Sequence, residues 1–377
     1  MKLKYTLGIA GIGVMTLAGF SAVPAQAGED IQVAMIGPLT GSNAAVGEQM
    51  RRGAIQAVAD INAKGGVLGS KLVLNIGDDA CDPKQAVAVA NQMASKGVIF
   101  VDGHDCSGSS IPASAVYNDA GIIQITPSST NPHLTEDAYK KGWNNVYRTC
   151  GRDDQQGAVA GKYLLSHFKG KVFAIIDDKS AYGKGLADET RKTLNAGGVK
   201  EVLDDEITAG DRDFAALISK LKLAKVDVIY YGGYPAEAGL LMRQAHEQGM
   251  QVTLMAGDTL ATTDFWSITG NAGEGSLFTF APDPKARPEA KAVVDEFTKA
   301  GYPPEGYTLY TYAAMQVYAQ AVEKAKSTKI DDVAKVLHSS TFDTVIGPIK
   351  YDAKGDITED TFVVWKTSNG KFAPVKD

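Results

Sequence analysis

Four consecutive residues, His104, Asp105, Cys106 and Ser107, offer a base, an acid, a thiol and a hydroxyl. Nucleophilic catalysis uses that set. Neighbours on one turn seldom face one another, however, and nucleophile–base pairs usually come from separate segments. A polar loop after a strand is the better reading. His246-Glu247 opens a zinc-protease pattern, but Met250 stands where the second histidine must be. The five histidines are scattered, so a histidine-held metal would need distant partners. Neither G-x-S-x-G nor G-x-x-x-x-G-K-[ST] occurs. The expectation is no enzyme, no cofactor and no metal.

The chemistry concentrates instead in loops. Gly37 to Gly41, Gly103 to Ser110 and Thr126 to Thr130, with Ser128 and Ser129, are rich in glycine and hydroxyls. Asp177 to Gly183, Gly232 to Pro235 and Gly257-Asp258 form a second group. Hydroxyls and backbone N–H groups suit a small carboxylate, especially at a helix N-terminus. One such loop would be a plain turn. Six on one rim point to a ligand, with Tyr182, Tyr234 and Asp258 facing the hydroxyls across a cleft.

Strand–helix units must position these loops. Ile31–Ile36 reads as a strand, followed by helical spacing over Gly47–Lys64. Leu72–Ile76 is a strand, and Asp82-Pro83 starts a helix through Ser95. Val98–Val101 and Ile122–Ile125 are strands flanking a helix at Ile111–Asn118. A second series has strands at Val172–Ile176, Val199–Leu203, Val226–Tyr231 and Val252–Met255. Its helices are Gln156–Phe168, Tyr182–Ala196, Phe214–Leu223 and Ala236–Gln248. A helix at Leu309–Lys324 and strands near Ile349 and Phe362–Trp365 return to these lobes. The pattern predicts two doubly wound α/β lobes, with ligands outside the carboxyl ends of the strands.

The chain has 377 residues, 44% hydrophobic and 22% charged, with a formal charge of -6. That composition is globular, and the mild acidity argues against nucleic acid as a partner. Lys2 and Lys4, an apolar run from Thr6 to Phe20 and Pro24-Ala25-Gln26-Ala27 read as a signal peptide cleaved after Ala27. Gly8, Gly11 and Gly13 fall inside it and carry no meaning as a phosphate loop. Three cysteines allow one disulfide and one spare thiol in an oxidising compartment.

Longer blocks are Ile31–Gly37, Asp78 through Val87, Gly103-His104, Ile125 through Ser128, Tyr182 through Gly185 and Tyr230 through Tyr234. In these the chain resembles the leucine/isoleucine/valine-binding proteins of bacterial ABC importers. The resemblance spans essentially the whole chain after the leader. It implies a type I periplasmic-binding-protein fold, two doubly wound α/β lobes joined by a three-strand hinge. Lobe 1 would be 28–151 and 282–347, and lobe 2 would be 152–281 and 348–377. The implied function is a monomeric periplasmic receptor that closes on an amino acid and delivers it to membrane permease subunits. The alternatives are a non-amino-acid solute, such as an amide or aromatic acid, or a sensory receptor.

The resemblance also implies a ligand set. Ser107 and Thr130 would hold the α-carboxylate. The Ser128 carbonyl, the Thr130 hydroxyl and Asp258 would hold the α-ammonium, with Ser129 in the same loop and Tyr182 and Tyr234 clamping from lobe 2. Val46, Asp105 and Tyr307 would line the side-chain pocket. Asp105 stands where the family carries a large apolar residue. It either faces the ligand and favours a polar or cationic side chain, or turns to solvent or a base such as Arg152. Cys81 and Cys106 both follow lobe-one strands and are expected to pair, leaving Cys150 free.

Overall fold

The computed structural model of the protein describes residues 1–4, 29–359 and 362–376. Most of the expected leader, residues 5–27, lies outside the described residues. Among the described residues no helix is long and apolar enough to cross a membrane.

β1 (Ile31–Gly37) is an apolar run buried along most of its length, as a parallel strand covered on both faces must be. It is followed by α1 (Ala44–Ala63), β2 (Leu72–Asp78), α2 (Pro83–Ser95) and β3 (Phe100–Gly103). Then come α3 (Ser107–Ala120), β4 (Ile123–Thr126), α4 (His133–Lys140) and β5 (Val146–Arg148). The strands form one parallel sheet in the order β2-β1-β3-β4-β5. Asp82 caps α2 through the N–H groups of Lys84 and Gln85, with Pro83 in the first turn. α3 begins at Ser107, earlier than the expected Ile111. Serine and glycine are weak helix formers, but the Cys106 carbonyl accepts from Ser109 and Ser110 and starts the helix.

The second lobe contains α5 (Asp153–His167), β6 (Phe173–Asp177), α6 (Ala181–Ala196), β7 (Leu203–Glu206) and α7 (Ala215–Leu223). It continues with β8 (Val228–Gly232), α8 (Pro235–Glu247), β9 (Thr253–Ala256), α9 (Thr263–Thr269) and β10 (Leu277–Phe280). The strand expected at Val199–Leu203 starts only at Leu203, because Val199 still donates to Leu194 and closes α6. β7 is an acidic edge strand with alternating burial, so its apolar signal is weak.

The chain then forms α10 (Lys291–Lys299), α11 (Thr308–Ala325), α12 (Ile330–Ser339) and a hairpin of β11 (Thr341–Thr344) with β12 (Gly347–Lys350). β13 (Val363–Ser368) and β14 (Lys371–Pro374) complete the second sheet, β14-β13-β10-β9-β8-β6-β7, as its antiparallel edge. α11 returns to lobe 1, where Tyr318 stacks on Phe100 with ring centroids 4.1 Å apart.

One expected boundary is corrected. The chain does not enter lobe 2 at residue 348. Ile349 pairs with Phe342 inside the hairpin, Tyr351 packs on Tyr147, and Gly355 accepts from the Arg148 N–H at 3.2 Å. Lobe 1 therefore holds the chain through Asp356. Three segments join the lobes: after β5, after β10, and between Asp356 and β13. They lie side by side, because Thr149 and Gly151, Pro282 and Pro284, and Ile357 and Glu359 line one cavity of about 230 Å³.

Candidate ligand site between the lobes

In lobe 1 the strand order reverses direction between β1 and β3, and in lobe 2 between β6 and β8. Loops leaving such strands open a crevice at their carboxyl ends. β3 leads into Asp105 and α3; β6 and β8 lead into Tyr182 and Tyr234. Glycines permit the close approach. A Cβ on Gly103, at φ +142°, would lie 2.2 Å from the Ile36 carbonyl. One on Gly232 would lie 2.0 Å from the Gly183 carbonyl. That contact seats the start of α6 on the end of β8, and the Tyr182 and Tyr234 rings meet at 5.4 Å.

Asp258 is the centre of the lobe 2 side. It is 2% exposed. Its Oδ1 accepts from the Tyr182 hydroxyl at 2.8 Å and the Gln156 amide at 2.8 Å, and its Oδ2 accepts from the Tyr307 hydroxyl. Burial pushes its carboxyl up, and those three donors oppose the shift. Tyr307, expected to line the side-chain pocket, reaches from the start of α11 to the Asp258 carboxylate.

The hydroxyl loop lies opposite. Ser107, Ser128, Ser129 and Thr130 are all buried. The Ser107 hydroxyl accepts from the Asn131 N–H at 3.2 Å. Ser129 donates to the Asp105 carbonyl at 2.8 Å, and Ser128 to the same carbonyl at 3.3 Å. Thr130 presents its carbonyl to the Asp153 N–H at 3.0 Å, which ties the loop to the first residue of α5.

Asp105 is 7% exposed. Burial raises its carboxyl to about 7; the Ser128 hydroxyl opposes this, and the charges of Asp79 and Asp258 add to it. Solvent is therefore not its environment, and Arg152 is not its partner. Arg152 bonds Asp356, Glu136 and Asp154 instead. Val46 is buried in the same apolar cluster as Leu260, Ala261 and Tyr307.

The supposed nucleophile cluster disperses. His104 is buried between Asp79 at 2.5 Å and the Tyr117 hydroxyl at 2.7 Å. Cys106 is bonded to Cys81, with Cα atoms 5.5 Å apart, and Cys150 is buried and unbridged. Cys106 joins Tyr182 and Tyr234 in one buried cluster, with Cys81 at its edge.

Two residues at the site escaped the sequence reading. Gln156 donates to Asp258, and buried Asp153 is held well above the usual carboxylate range by burial and the Asp258 charge. They stand three apart on α5, hence on one face. A polar pair on an otherwise buried helix face was the available signal.

A family model for periplasmic binding proteins matches residues 30–371. The chain is 46% identical over 357 residues to Leu/Ile/Val-binding protein homolog 1 of Brucella suis biovar 1, covering 94% of this chain and 95% of that one. The leucine binding protein LivK of Thermotoga maritima superposes with a TM-score of 0.84 at 28% identity, over 92% of this chain and 98% of its own. The branched-chain amino acid substrate binding protein LivJ of Streptococcus pneumoniae, solved with isoleucine, gives 0.82 at 26% identity, over 91% and 97%. The chain belongs to the periplasmic binding protein family.

Proposed function

We infer that this protein is the exported receptor of an ABC importer, which captures an amino acid between its lobes and passes it to membrane permease subunits. The periplasm is its place of work, and it acts as a monomer without a cofactor or a reaction of its own. The observation that carries the reading is the buried Asp258 carboxylate of lobe 2 set across from the hydroxyl loop of lobe 1. A zwitterion needs an acceptor for its ammonium and donors for its carboxylate, and burial makes each pairing matter.

In this reading Asp258, the Ser128 carbonyl and the Thr130 hydroxyl hold the ammonium. Ser107 and Thr130, with the first N–H groups of α3, hold the carboxylate, where the helix dipole favours negative charge. Ser129 fixes the loop through the Asp105 carbonyl. Tyr182 and Tyr234 close the cleft, and Val46 and Tyr307 bound it. Asp105 favours a ligand whose side chain carries an ammonium, guanidinium or hydroxyl. A buried carboxyl facing leucine would be desolvated without a partner, at about 1–3 kcal/mol.

A thermal-shift screen of the twenty amino acids tests this. A true ligand at about 100 times its Kd stabilises by ~2.7 kcal/mol, and polar or cationic ones should rank above leucine. No shift with any amino acid would remove the reading.

A further inference from the structure

Behind the hydroxyl loop lies a chain of buried charges that ligand contact alone does not require. Arg148, at the end of β5, is fully buried. Its guanidinium donates to the Ser129 carbonyl at 2.6 Å and the Asn131 carbonyl at 3.2 Å, and its Nε lies 2.8 Å from Asp356 Oδ1. The other oxygen of Asp356 accepts from Arg152 at 2.6 Å. Arg152 is the N-cap residue of α5, the first helix of lobe 2. It also bonds Glu136 of α4 at 2.8 Å.

Asp356 thus uses one oxygen toward the ligand loop and the other toward the point where the chain leaves lobe 1. It is the last lobe 1 residue before the third joining segment; Arg148 ends β5 just before the first, and Arg152 lies on that first segment. Asn131 extends the line across the cleft. Its carbonyl is held by Arg148, while its side-chain amide donates to the Ala181 carbonyl of lobe 2 at 2.6 Å.

We propose that Asp356 is a positioning residue that locks the loop Ser128–Asn131 to the pivot of the two lobes, so that loop geometry and lobe angle change together. Removing one oxygen's role uncouples them. The loop then no longer aims Asn131 at Ala181, and the closed form loses its latch. This goes beyond ligand identity, but it rests on the reading that the lobes close on a ligand.

The test is single-molecule energy transfer between a dye on each lobe, in wild type, Asp356→Asn and Arg152→Gln. In the absence of ligand both variants should shift the open-to-closed ratio toward open by about tenfold. Arg152→Gln leaves the Arg148–Asp356 pair intact, so it decides the matter if Asp356→Asn fails to fold. Variant distributions that superimpose on wild type, even with lowered melting temperatures, would make the cluster a stabilising ion network only and overturn the proposal. If a mixture of the twenty amino acids leaves the wild-type distribution unmoved, the closure reading fails and the proposal falls with it. A wild type that closes beside unaltered variants sinks the proposal alone.

Discussion

The Tyr307 hydroxyl, carried by lobe 1, donates to the Asp258 carboxylate of lobe 2. The bond spans the cleft. In the proposed reading an ammonium would share Asp258 with Tyr307, so this tyrosine would both tie the lobes together and keep the acid oriented.

Tyr307→Phe removes that bond. A hydrogen bond to a charged group contributes about 1.5–3 kcal/mol, so the ligand-free protein should open by roughly tenfold or more in population. Small-angle scattering should show a larger radius of gyration for the ligand-free variant and the wild-type value once ligand is bound. Equal ligand-free profiles would mean that the bond does not gate the cleft.

Asp105 gives a pH signature. Burial pushes its carboxyl up to about 7 in the folded protein, against about 3.9 in the unfolded chain. The folded protein therefore holds an extra proton between those values, and this group's contribution to stability falls as pH rises from about 4 to about 7. A cationic ligand requires the ionised form. Its binding should release a proton below pH 7, and affinity should rise with pH through that value. Titration calorimetry in buffers of different ionisation enthalpy measures the release. Asp105→Leu should abolish it and improve binding of leucine relative to arginine; a variant identical to wild type would remove Asp105 from the pocket.

Glu136 has the opposite sign. The Arg152 hydrogen bond holds its carboxyl down to about 2, burial opposes, and Lys354 assists. The stabilisation is complete above its unfolded value of about 4.3 and is lost as pH falls through about 2. Urea midpoints measured from pH 5 to pH 2 should fall less steeply in Glu136→Gln than in wild type.

The Cys81–Cys106 bond closes a loop with a sequence separation of 25. The chain-entropy model gives roughly 3.5 kcal/mol for such a loop. Cys81→Ser with Cys106→Ser should lose about that much, and peptide mass mapping of wild type should leave Cys150 unbridged.

The lobes were legible because parallel strands buried on both faces are plain apolar runs, as in Ile31–Gly37 and Val228–Gly232. β7 was misplaced because an acidic edge strand carries little of that signal. The rim loops were legible as glycine and hydroxyl clusters after strands. What the sequence hid was side-chain direction. Arg152 was a candidate partner for Asp105 and turned out to serve Asp356, 204 residues away in the chain. The bond of Tyr307 to Asp258, 49 residues away in the chain, leaves no mark in the sequence pattern. Asp153 and Gln156 are hard to see in the sequence because a helix start with polar residues ordinarily faces water, and only the packing of α5 against α6, β10 and β13 buries it.

Isothermal titration of wild type and Asp258→Ala with the best amino acid from the thermal screen tests the central claim most directly. Removing one side of a buried charge pair costs about 3–5 kcal/mol. The account predicts one site per chain in wild type and an affinity weaker by some hundredfold or more in the variant. An unchanged Kd in Asp258→Ala, or no amino acid that binds wild type, would contradict it.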